Sequence, residues 1–325
     1  MPFNDLVKLW DKFWFSESSP LPVAVYRVLF GFISILNFLL LIPDLIPFYG
    51  ARGLTTVGRV TDWTGCSGLN LFNFVQDNDI FLMFCIALFI AASVCFCIGF
   101  HSRLAAVILF TAFNSLYHRD PFLLNSGDTY MRVSVFWLIF AASGNAISID
   151  RWRKKSYLQD PPGPAFENYK LVSIWPLRLL QIQLAMVYCH TWARKFWGQH
   201  WYDGVAVYYS SRVEDLKRFP LPFIFDQLWT IQFFTYATLG VEFALFTLIW
   251  IKETRYYVLA MGLSFHLVID YHMNIPLFEY LMIISYVLFI YPEDLAKVLR
   301  FIQGKFFTRR AIAPPEAVKE DTQVC

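Results

Sequence analysis

The sequence predicts an all-α protein, a polytopic transmembrane helical bundle of about eight spans. Three observations carry that expectation. Hydrophobic residues make up 57% of the 325 positions and charged residues only 16%, where a soluble domain carries roughly 25% charge. Aromatic bulk is high, with 34 Phe and 11 Trp. The charges fall in short blocks between apolar stretches of about 20 residues, the length that crosses a bilayer core. A net charge of +2, with no basic patch outside the membrane flanks, gives no basis for nucleic-acid binding. The charges are read as topology instead.

Residues 1–19 read as an interfacial amphipathic helix, with Phe3, Leu6, Val7, Leu9, Trp10, Phe13 and Trp14 set against Asp5, Lys8, Asp11 and Lys12. Charges throughout the segment and the lack of a small-residue cleavage site exclude a cleavable signal peptide. Residues 20–295 form the expected transmembrane domain. Its spans run at about 22–43, 80–100, 103–118, 130–148, 174–193, 231–251, 256–271 and 277–292. The third and seventh are short and need neighbouring helices or a thinner bilayer. Pro22 opens the first span, Pro43 closes it and Pro292 closes the last. Residues 296–325 read as a basic amphipathic segment on the membrane surface, followed by a disordered tail.

Lys and Arg set the orientation. One side holds Lys8, Lys12, Arg103, Arg151, Arg153, Lys154, Lys155, Lys170, Lys252, Arg255 and the tail. The other holds Arg52, Arg59, Arg119, Arg194, Lys195, Arg212, Lys217 and Arg218. The richer side is expected to be cytoplasmic, with both termini on it, in the cell (inner) membrane. Cys85, Cys95, Cys97 and Cys189 fall in apolar spans and act there as small hydrophobes; Cys66 lies in a loop and Cys325 does not complete a prenylation box. No metal site is expected.

An ionisable side chain inside a span is costly and marks a candidate site. Arg27 either snorkels to the headgroups or holds a partner deeper inside. Asp128 and Arg132, at i and i+4, read as an ion pair. His266 and Asp270, at the same spacing, read as a hydrogen-bonded pair before half of a metal site. Glu242 lacks a local partner, so it is protonated, paired across helices or facing water. Lys195 sits in an aromatic run with Trp192, Trp197 and Trp201 and is either a headgroup anchor or a catalytic amine. A catalytic amine must be neutral part of the time; an apolar pocket and the second cation Arg194 favour that state.

Five segments, in order, resemble the HTTM (horizontally transferred transmembrane) family, related to the membrane domain of vitamin K-dependent gamma-carboxylase. They are Pro20 to Gly31 with Arg27; Asn125-Ser-Gly127-Asp128 through Arg132; Ser148-Ile-Asp150; Lys195 through Trp201-Tyr-Asp-Gly204; and His272-Met-Asn274-Ile-Pro-Leu-Phe278. The likeness spans about residues 20–295. The resemblance implies that Lys195 is the base that deprotonates vitamin K hydroquinone or menaquinol. Reaction with oxygen then gives the epoxide and a strong base that acts on glutamate, and the carbanion takes up carbon dioxide. It also makes His272 and Asn274 catalytic candidates that orient the quinol by hydrogen bonds. Trp192, Trp197 and Trp201 are expected to line the entry, with Arg27, Asp128, Arg132 and His266 as further binding candidates. Spacing and length are similar to short bacterial members of the sporulation-delaying protein B type. Two expectations therefore stand: a quinol-dependent carboxylase- or epoxidase-like enzyme, or a maturation partner of a secreted peptide. The bilayer is a partner in both.

Overall fold

The computed structural model describes residues 3–64, 70–74, 78–119, 123, 125–155, 169–220 and 222–307. The expectations placed on Cys66, on Cys325 and on the tail from 308 onward lie outside the described residues. Helices dominate, and the strands are two residues long. In chain order the elements are α1 (Phe3–Phe15), β1 (Glu17–Ser18), α2 (Leu21–Tyr49), α3 (Val57–Thr64), α4 (Asp79–Ile98), α5 (Ser102–Arg119) and α6 (Ser126–Phe140). They continue with α7 (Ile149–Lys155), β2 (Val172–Ser173), α8 (Trp175–Phe196), α9 (Gln199–Tyr202) and α10 (Ala206–Ser210). Last come α11 (Leu228–Phe246), α12 (Arg255–His272), α13 (Phe278–Ser285) and α14 (Pro292–Phe307).

Each expected segment contains a helix, but the fourth, expected over 130–148, leaves the helix after Phe140, and the eighth, expected over 277–292, is α-helical only over Phe278–Ser285 before tightening into a 3-10 turn. Two helices, α2 and α4, are long and apolar enough to cross a membrane by length and composition. The heart of the molecule is α2 against α4, α4 against α5 and α5 against α6. A second layer packs α8 on α11, α11 on α12 and α12 on α13. The buried residues of α4 recur at helical spacing, with Leu82, Cys85, Ile86, Phe89, Ser93 and Phe96 on one stripe. Its opposite stripe, Ile80, Met83, Phe84 and Leu88, is also apolar yet exposed. A helix apolar on both faces belongs in lipid or in a core, and here one face has no protein to cover it.

Pro43 does not end α2. The helix runs through Pro43 and Pro47 to Tyr49. A proline removes one backbone bond, but Leu45 and Tyr49, one turn apart, are both buried in the core and hold the helix to its end.

Gly31 explains how closely α2 approaches α4. A Cβ at Gly31 would stand 2.7 Å from the Cα of Cys97, on the backbone of the facing helix. Gly31→Ala must push the two helices apart and is expected to cost about 2 kcal/mol. Detergent-denaturation midpoints measure it; a change below ~0.5 kcal/mol would mean that the helices are not in backbone contact there.

Arg27 does not snorkel. It is 0% exposed. Its Nη1 donates to the Ser143 carbonyl at 2.8 Å, and its Nη2 donates to the Ile147 carbonyl. Helix α2 is thereby tied to the turn that follows α6. Asp150 completes this knot, accepting from the His101 N–H at 2.8 Å and from the Ser102 N–H and hydroxyl, each at 2.9 Å. Gly99, His101 and Ile147 all adopt positive φ here. The glycine suits its conformation, and a Cβ at Gly99 would strike both Ser148 and Arg27.

Burial alone would raise the Asp150 carboxyl, but the N–H groups of Ser102 and His101 and the Ser102 hydroxyl outweigh it and hold it below the ordinary carboxylate range. The sign follows from that. A depressed folded-state value gives stability that is full above the unfolded carboxylate pKa of ~3.9 and is lost as pH falls through the lower folded value. Asp150→Ala is expected to cost about 1 kcal/mol at neutral pH, as for a lost helix N-cap, and progressively less below about pH 4. Stability of wild type and variant at both pH values checks this; a gap that widens in acid refutes it.

Candidate functional site

The packing of α8 on α11 brings Lys195, near the end of α8, against Glu242 of α11 in a direct ion pair. Glu242 is 3% exposed. Thr191, one turn before Lys195, is a further polar group beside the carboxylate. Glu242 lies one turn before the end of α11, and the pair turns the amine inward onto a buried carboxylate. An ordinary headgroup anchor would point outward instead. Arg194 is exposed and takes no part. The charge beside Lys195 is therefore a carboxylate and not the second cation that the sequence suggested.

On its open side Lys195 borders a cavity of about 640 Å³. Phe225, Phe234, Val241, Phe265 and Val268 supply much of its wall, and Ser210, Ser211, Thr238 and Ser264 place a few hydroxyls around it. The lysine Nζ stands 5.0 Å from the centre of the Trp201 ring, which also lines the cavity. An apolar hollow of this size with a few polar groups has the usual dimensions and chemistry of a small-molecule site.

Of the three expected entry tryptophans, Trp201 is on the wall and the other two are not. Trp192 stacks on Phe196 at 4.9 Å and packs on Phe243 and Phe246. Trp197 is 84% exposed. His272 does line the cavity, but its Nδ1 faces the Phe219 carbonyl and its Nε2 the Ser211 carbonyl, each at 2.8 Å. A neutral ring donates to one of these and an imidazolium to both. Either way the ring grips the 211–219 segment. Asn274 is off the wall, where its Oδ1 accepts from Arg218 Nη2 at 3.0 Å. The same arginine donates through Nη1 to the Asp270 carboxylate and carbonyl.

Asp270 thus pairs with Arg218 and not with His266. Asp128 and Arg132 are also apart in role. Asp128 closes a capping box with Asn125 at the start of α6, and Arg132 lies 3.6 Å from the Tyr117 ring centre. Helical spacing allowed both pairs, but a helix cap and an aromatic face competed for the same side chains.

Sequence reasoning missed a second buried cluster. His266 Nδ1 pairs with Glu279, and its Nε2 meets the Tyr188 hydroxyl at 2.6 Å. Tyr188 in turn meets the Tyr286 hydroxyl at 2.8 Å. All four side chains are buried. The cluster joins α8, through Tyr188, to α12, through His266, and to Glu279 of α13 and Tyr286 just after it. Intramembrane His266 was visible as an anomaly, but the two tyrosines carried no signal of their own. Among the described residues no three His, Cys, Asp or Glu side chains gather to hold a metal ion.

A helical bundle with spanning-length helices and apolar outward faces is the build of a membrane-associated protein. Over residues 15–293 the chain matches the family model of the HTTM domain, and it belongs to that family, which is related to the gamma-carboxylases. Neither a curated protein nor a solved structure matches it.

Proposed function

We propose that this is an integral membrane enzyme that takes a lipid hydroquinone, vitamin K hydroquinone or menaquinol, into the 640 Å³ cavity and uses Lys195 as the base on a ring hydroxyl. The observation that carries the reading is an amine on the wall of an apolar cavity with a buried carboxylate behind it. A phenolic hydroxyl has a pKa of ~10, so a protonated lysine cannot serve. In the reactive form Glu242 holds the proton and Lys195 is the neutral amine. The hydroxyl proton then moves to Nζ, and the new ammonium balances the oxyanion. Trp201 flanks the ring, and His272 acts by positioning the segment around Ser211. The bound quinol supplies the reducing equivalents that, with oxygen, generate a strong base.

The eight-span arrangement belongs to the same proposal. Its support is apolar exposure on helices beyond α2 and α4, at Leu104 and Val107 of α5, Phe233 and Phe243 of α11, and Met261, Leu263 and Leu267 of α12. The Lys and Arg distribution supports an orientation with both termini on the cytoplasmic side of the inner membrane.

The test is to purify the protein in detergent, identify co-purifying lipids by mass spectrometry, and measure quinol-dependent oxygen uptake. A prenylated ring is expected to co-purify, and Lys195→Ala to lower uptake at least ~100-fold. Equal turnover by wild type and Lys195→Ala removes the lysine from the mechanism. Glu242→Gln, which keeps the shape of the side chain, separates lost chemistry from lost fold. No bound ring and no uptake would leave partnership with a secreted peptide as the reading to pursue.

A further inference from the structure

A second cavity, of about 910 Å³, opens beside the Arg27–Asp150 knot. It lies near the start of α8, since Ala141 and Ala142 line it and also border the pocket that reaches Ile174. Lys195 is 20 residues further along α8, roughly 30 Å away. The two cavities are therefore separate sites.

The walls of this cavity are divided in chemistry. Arg103, Arg153 and Lys154 supply three cations, with the His101 ring alongside. Asp150 is the one carboxylate on the wall, and it already accepts three hydrogen bonds from Ser102 and His101. Among the described residues Arg103 and Lys154 have no ion pair, and Arg153 only stands over the Phe100 ring at 5.6 Å. Beside these cations the wall turns aliphatic. Leu104 is 59% exposed and Val107 41% exposed, one turn apart on the same face of α5. On the membrane placement proposed above, the exposed Arg103 and Arg153 lie at the water-facing end of the bundle and α5 runs from there into the apolar layer.

We propose that this cavity binds an anionic phospholipid. Its phosphodiester sits among Arg103, Arg153 and Lys154, and an acyl chain follows Leu104 and Val107. Basic pockets between helices at the cytoplasmic face suit anionic headgroups. A free phosphate would satisfy the cations but would leave the exposed aliphatic face without a role. The proposal rests on the membrane placement and not on the role of Lys195.

The test uses full-length protein, delipidated in detergent and titrated with phosphatidylglycerol, phosphatidylcholine or inorganic phosphate, with binding read by native mass spectrometry. Wild type is expected to retain phosphatidylglycerol over phosphatidylcholine. Arg103→Ala/Lys154→Ala is expected to weaken phosphatidylglycerol binding about twenty-five-fold, at about fivefold for each basic side chain near a membrane surface. Both side chains are exposed, and an unchanged denaturation midpoint confirms that the variant folds. Leu104→Asn is expected to weaken lipid binding further and to leave phosphate binding unchanged. Equal retention of the two lipids, or of phosphatidylglycerol by wild type and double variant, overturns the proposal. Displacement of phosphatidylglycerol by millimolar phosphate, with Leu104→Asn silent, overturns the lipid and assigns the pocket to a soluble phosphate compound.

Discussion

Lys195→Ala is expected to destabilise the protein by about 3 kcal/mol, although the lysine itself is partly exposed. The cost lies in what remains. Glu242 is buried, and without the amine its carboxylate is left uncompensated in an apolar setting or must take up a proton. Glu242→Leu in the same background should recover most of the loss, to within about 1 kcal/mol of wild type, because an apolar side chain suits that position. The check is a double-mutant cycle on detergent-denaturation midpoints. Costs that simply add, within ~0.5 kcal/mol, would show that the two side chains do not interact. The cycle bears on the activity assay too, since a loss of uptake in Lys195→Ala counts as chemistry only in protein shown to be folded.

A larger effect is expected at the other knot. Arg27→Met should cost roughly 4 kcal/mol, because two charge-assisted bonds to the Ser143 and Ile147 carbonyls disappear together. Methionine fills much of the volume, so the loss reports polar bonds more than a cavity. Arg27→Lys should recover less than half, since one ammonium cannot reproduce the two-pronged guanidinium. Hydrogen exchange offers a local readout. Amides in 141–150 should exchange faster in Arg27→Met, while those around Lys195 stay protected. Uniform acceleration along the chain would instead mean that Arg27 supports the whole bundle. Loss of the 910 Å³ pocket's phospholipid preference in this variant would follow from the same disorder in its wall.

The helical architecture was legible because it depends on local quantities. Apolar stretches of spanning length and the blocks of charge between them are properties of consecutive residues. The ends were less legible. α2 continues past Pro43 because Leu45 and Tyr49 find core contacts, and only the packed neighbours reveal those. The anomalies were legible too. Arg27, Lys195, Glu242 and His266 each stood out as ionisable residues in apolar surroundings, and each is engaged in the structure.

Partner choice was not legible. Spacing at i and i+4 offered Asp128 to Arg132 and Asp270 to His266, and the folded chain uses neither pair. Lys195 to Glu242 spans 47 positions and Arg27 to Ile147 spans 120. Such bonds form only after separate helices have docked. By itself the sequence determined the helical content, the affinity for a bilayer and the set of side chains too polar to be left in lipid alone, because these follow from composition and short-range periodicity. The tertiary structure decided which of those side chains meet and which wall of which cavity they face, because burial penalises each unpaired polar group and helix packing sets which partners lie within reach.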